Sequence, residues 1–117
     1  MNSEAFVDAL KCYVRDAATE DVISRLKNPL GRRILPHVKI QSEWYNSLSV
    51  EDMIHVNGVI ASTSNEVLFG VLAVLDGIRV IDEEKGALEL IYKTESCKVI
   101  LNDPTEIGLH ELLNSSN

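Results

Sequence analysis

Apolar side chains recur at helical spacing through the first two thirds of the chain and at every second position after Gly77. Phe6, Leu10, Tyr13, Val14 and Ala17 form one stripe, with Glu4, Asp8, Lys11 and Arg15 between them. The spacing predicts an amphipathic helix capped by Ser3. Thr19, followed by Glu20 and Asp21, predicts a second helix start, because acids favour the first turn. Val22, Ile23 and Leu26 give that helix an apolar face, and Asn28-Pro29 ends it, since the residue before a proline is pushed out of helical geometry. Pro29, Gly31 and Pro36 then predict a surface loop. Ile40, Trp44 and Leu48 recur at i, i+4 and i+8. They predict a third helix over about 37–48, with Trp44 toward the core and Tyr45 to the side.

The longest apolar pattern runs without a proline from Val50 to Leu75. Ser49, with Asp52 three positions on, resembles a capping box at its start. One long helix is predicted, or two meeting at Asn65, because the side chains of residues 62–65 compete for backbone hydrogen bonds. From Val67 to Leu75 no side chain is polar, which predicts burial all round. That run is too short for a membrane span, which takes about 20 apolar residues. Gly77 is placed to end the helix as a left-handed residue.

Beyond it the period of two predicts strands over 78–82, 87–93 and 97–102, paired as an antiparallel meander. Asn102 to Glu106 forms a turn into a last short helix, where Leu109, Leu112 and Leu113 dock. Residues 114–117 are expected to fray. The fold class expected is therefore α+β in a single domain over residues 1–117: a mostly helical N-terminal two-thirds with a long central helix, a three-stranded antiparallel meander and a short C-terminal helix.

Composition changes this picture little, since 45% hydrophobic and 25% charged residues belong to an ordinary globular chain. No basic and then apolar leader opens the sequence, so a cytoplasmic location is expected. Cys12 and Cys97 lie far apart and in no metal-ligand spacing, and are expected to be small buried hydrophobes.

Charge changes the picture more. Residues 1–40 carry seven Lys/Arg against five Asp/Glu, and residues 41–117 carry four against thirteen. Between Val22 and Ser42 there is no acid, while Arg25, Lys27, Arg32, Arg33 and Lys39 supply five cations. Arg32 and Arg33 follow Gly31 and are the anion-binding candidates, two guanidinium forks suited to phosphate or carboxylate. The alternatives for this segment are an acidic protein partner or neutralisation within the fold. Nucleic acid is disfavoured by the net charge of -7 and by only 5% aromatic residues, which leave few stacking platforms.

No catalytic motif is present. His37, His55 and His110 stand at no metal-ligand offset, no G-x-S-x-G occurs, and no glycine-rich phosphate loop is found. Neither metal nor cofactor is expected. Asp76 is the residue to place first, because a carboxylate in the last turn of a helix faces the negative end of the dipole. Arg79 is its expected partner. Asp76 is either a helix-end residue that stabilises the Gly77 turn or, with Arg79, His55 and His110, the wall of a pocket in a small hydrolase or ligand-binding domain. The leading expectation is a non-enzymatic interaction protein. Its acidic surface, with Glu83 and Glu84, would steer a basic partner, and Trp44 and Tyr45 would anchor a contact. A homodimer would also cover the sheet edges.

Three stretches, SEWYNSLSVEDMIHVNGVI, VLFGVLAVLDGIRVI and LNDPTEIGLHELLN, together resemble a small family of stand-alone bacterial proteins of unknown function. The resemblance covers most of the chain and implies no activity and no catalytic residue. Small acidic immunity proteins that neutralise basic toxins are an analogy of size and charge only.

Overall fold

A computed structural model describes residues 1–115. Helices α1 (Ser3–Leu10), α2 (Ala17–Lys27), α3 (Pro36–Asn46), α4 (Val50–Leu75) and α5 (Leu109–Ser115) are joined by strands β1 (Ile91–Lys93) and β2 (Lys98–Ile100). The α+β class holds. The chain divides into two compact units, Met1–Val14 with Glu66–Asn117 and Arg15–Asn65, called here the terminal and the middle unit.

The first helix starts one residue early: Asn2, not Ser3, is the cap, its Oδ1 accepting from the Ala5 N–H at 2.8 Å. No new helix starts at Thr19. Between α1 and α2 the chain runs through a π-helical stretch, Lys11–Asp16, so helix continues from Ser3 to Lys27. The Thr19 hydroxyl donates to the Arg15 carbonyl and lies 3.0 Å from Ser64 Oγ. It bonds along and across helices instead of capping one.

In the middle unit, α3 packs on α2, and hydroxyl and amide groups join them. Ser42 Oγ donates to the Leu26 carbonyl at 2.6 Å and Asn46 Nδ2 to the Lys27 carbonyl at 3.0 Å, which pairs carbonyls left open by the end of α2. Tyr45 is 0% exposed and its hydroxyl donates to Asn57 Oδ1 at 2.8 Å. This overturns the expected orientation of α3: Tyr45 faces inward and Trp44 is 53% exposed, beside Ile40 at 66%. The inward face is the one whose polar groups find partners inside.

Helix α4 is unbroken over its 26 residues. Ser49 Oγ accepts from the Asp52 N–H at 3.1 Å, as the capping pattern predicts. Thr63 and Ser64 bond back to the carbonyls of Val59 and Ile60, so the polar stretch is accommodated within the helix. At its far end Gly77 has φ 77°. The Ile78 N–H meets the Ala73 carbonyl and the Gly77 N–H meets the Val74 carbonyl, a Schellman ending.

Leu68, Leu72 and Ala73 are buried but Val67 and Val71 are exposed, so the apolar run is not buried all round. By length and composition α4 is sufficient to cross a membrane, with a mean hydropathy of 1.6 over its most apolar window. The shorter run read from the sequence understated that.

The core of the terminal unit is Val7, Leu68, Leu72, Leu109 and Leu113, drawn from α1, α4 and α5, with Phe6, Leu10 and Leu112 packed against it. The expected three-stranded meander reduces to one antiparallel pair, with Ile91 opposite Ile100 and Lys93 opposite Lys98. Ile78, Val80 and Ile81 are exposed and unpaired. The ladder ends where the Asn102 side chain replaces the next rung: its Oδ1 takes the Leu90 N–H and its Nδ2 gives to the Leu88 carbonyl. Cys12 and Cys97 are both exposed, contrary to their expected burial. Of the expected frayed tail, Asn114 and Ser115 belong to α5, and residues 116–117 lie outside the described residues.

Candidate functional site

The terminal unit holds a cleft of about 530 Å³ between the end of α4, the segment over 79–89 and the turn after β2. Val74, Leu75, Val80, Ile81 and Leu88 supply an apolar wall. The charged groups on it are Asp76, Asp82, Glu84, Glu89 and Asp103 against Arg79 and Lys85. Five carboxylates therefore face two cations.

Asp76 sits at the α4 end of this cleft and its side chain is 7% exposed. Its Oδ2 accepts from the His110 backbone N–H at 2.9 Å and lies 2.5 Å from His110 Nδ1. An ionised carboxylate only accepts, so the ring proton is on Nδ1. The compensation for a carboxylate at the negative end of α4 thus comes from the first turn of α5 and an imidazole, and Arg79 is not its ion-pair partner. Helix α5 needs this help, because Gly108, just before it, has no side-chain acceptor of its own. A Cβ on Gly108 would come within 3.0 Å of both Asp76 Oδ2 and the imidazole, so a side chain there would crowd the pair. Phe69 meets the His110 ring edge-on, with centroids 5.8 Å apart.

An aspartate orienting a histidine is half of a hydrolytic triad. The other half is missing: among the described residues no serine, threonine or cysteine bonds to His110 Nε2, whose nearest carboxylate is Glu111 at 4.0 Å. Arg79 lies instead over α4, where a Cβ on Gly70 would sit 2.6 Å from its Nη1. His55 belongs to the middle unit and is exposed, as is His37. The structure therefore brings together Asp76 and His110 of the four pocket candidates, with Arg79 on the cleft wall and His55 outside it. Among the described residues no group of three His, Cys, Asp or Glu side chains converges as a metal site.

Asn102 is the residue that sequence reasoning missed. Besides its two bonds to the 88–90 segment, its Nδ2 donates to the Leu75 carbonyl at 2.7 Å, which ties the end of α4 to the hairpin across the cleft floor. Its neighbour Asp103 accepts from both the N–H and the hydroxyl of Thr105. These hydrogen bonds hold its carboxyl below the usual aspartate range, so its charge persists to lower pH. Asp82 likewise takes the Glu84 N–H at 3.3 Å, turning the acidic run of Asp82, Glu83 and Glu84. All three are exposed.

In the middle unit Arg32 and Arg33 are exposed next to Gly31, whose φ is 112°. Among the described residues none of Arg25, Lys27, Arg32, Arg33 and Lys39 makes a salt bridge. Trp44 stands on this unit's surface, whereas Tyr45 offers none. No family model, no curated protein and no solved structure matches the chain.

Proposed function

We propose that the chain is a non-enzymatic interaction protein of the cytoplasm whose terminal unit receives a basic, partly apolar segment of a protein partner. The observation that carries this reading is the cleft, where an apolar wall is edged by five carboxylates against two cations. The surrounding charge supports it. The terminal unit has five Lys/Arg against twelve Asp/Glu, and the middle unit has six of each, so the whole excess of -7 falls on the side of the cleft. A field of one sign over a cleft raises the rate of encounter with the opposite charge. Small acidic immunity proteins act on basic toxins in a comparable way, an analogy of size and charge.

Replacing Glu83 and Glu84 by lysine is expected to slow association about tenfold at low salt and to flatten its salt dependence. The test is capture from a host lysate by wild type and variant at two salt concentrations, followed by association kinetics with the retained protein. An identical retained set and identical rates for both chains would sink the reading. A second reading, a small-ligand or hydrolytic pocket, draws on the Asp76–His110 pair beside the same cleft, and a small molecule bound there in a co-crystal would favour it.

A further inference from the structure

We infer that the basic partner of the acidic cleft is a second copy of this chain, which presents the surface formed by the loop before α3 and by α3 itself. The inference rests on the cleft reading above and names its occupant. Each unit, taken by itself, carries one half of a complementary pair. The middle unit exposes Leu30, Leu35, Ile40 and Trp44 at 81%, 60%, 66% and 53%. Among them stand Arg32, Arg33 and Lys39, which have no carboxylate partner among the described residues. The terminal unit exposes Val80 and Ile81 next to Asp82, Glu83 and Glu84, which have no cationic partner among them either.

Exposed apolar groups with unpaired cations on one surface, and exposed apolar groups with unpaired carboxylates on the other, are what two faces of one interface require. Two copies related by a two-fold axis would make the contact twice, because each gives its basic surface to the other's cleft. The net charge of -7 on each copy opposes their approach, and at 0.1 M salt this repulsion is screened beyond about 10 Å, whereas groups of opposite sign brought into contact are screened far less.

The test is sedimentation velocity over a range of concentrations, at about 0.02 M and about 0.3 M salt, on wild type and three variants checked for native helicity by circular dichroism. Arg32→Glu with Arg33→Glu, and separately Glu83→Lys with Glu84→Lys, place like charges in both contacts. Each is expected to weaken self-association more than about tenfold. An equimolar mixture of the two restores opposite charge at both contacts and is expected to form the heterodimer, and the chain carrying all four substitutions is expected to dimerise again.

A wild type that stays monomeric throughout, or a dimer indifferent to both reversals and to their mixture, overturns the inference. A synthetic peptide of alternating leucine and lysine separates its failure from that of the cleft reading. Binding of this peptide by a monomeric wild type, lost in the Glu83→Lys/Glu84→Lys chain, keeps the cleft and removes the second copy. No binding removes both. Retention of a monomeric chain on vesicles of phosphatidylglycerol, lost with Arg32→Glu/Arg33→Glu, would assign the basic surface to an anionic lipid face and likewise overturn the inference.

Discussion

Replacing Asn102 by leucine is expected to lower the free energy of unfolding by about 3 kcal/mol, read from urea denaturation with an unchanged slope. The side chain is nearly the same size, so the loss is one of hydrogen bonding. Asn102 is 9% exposed and bonds to the Leu90 N–H and to the carbonyls of Leu75 and Leu88. Leucine leaves all three backbone groups without that partner, and a buried unpaired group costs about 1–3 kcal/mol. The cleft beside Asn102 admits some water to them, which places the sum toward the lower end. A loss below about 1 kcal/mol would mean that water replaces the amide fully, and the cleft floor would then not depend on Asn102.

Leu72→Ala is expected to cost about 3–4 kcal/mol. Leu72 is 1% exposed and stands where α1, α4 and α5 meet, among Val7, Leu68, Leu109 and Leu113. Truncation removes transfer free energy and leaves a cavity that helices held from three sides fill poorly. Against a total stability of about 5–15 kcal/mol for a chain of this kind, that is a large fraction. The neighbouring Val71→Ala is the control: Val71 is 53% exposed, so about 0.5 kcal/mol or less is expected. Equal losses at the two positions would show that Val71 is covered in solution by something other than its own chain.

The long helix was legible in the sequence because its punctuation is local. Ser49 with Asp52 marks one end, Gly77 the other, and no proline intervenes. The face of α3 was not legible, because the hydrophobic stripe of Ile40 and Trp44 outranks Ser42 and Tyr45 on any apolar scale. The fold buries the latter pair, since their hydroxyls find the Leu26 carbonyl and Asn57 inside. A buried hydroxyl with a partner costs little, and that partner cannot be read from the residue itself. The strand expected over 78–82 failed for a related reason: alternation describes a strand's faces and says nothing of its neighbour.

At the candidate site Asp76 announced itself as a carboxylate in an unfavourable place. Its partner was sought three residues away and lies 34 away. The signal available was the weakness of α5, a helix start at Gly108 with no side-chain cap. Asn102 was hidden by its own composition, because Asn-Asp-Pro reads as a turn, and nothing in a turn signature says that the amide faces inward.

The π-helical stretch Lys11–Asp16 has a consequence for how this chain can change in length. Its wider turns close on the fifth residue instead of the fourth, so each residue contributes less rotation than in α-helix. One residue fewer would let the stretch relax to α geometry, and because each α-helical residue turns further than a π-helical one, the helix beyond it would keep nearly its present angle around the axis. Val22, Ile23 and Leu26 would then stay half-buried in the middle unit, as they are now. Cys12, Tyr13 and Val14 within the stretch are exposed, so their identities are lightly constrained. Between Leu10 and Ala17 the chain therefore tolerates different letters and also the loss of one of them.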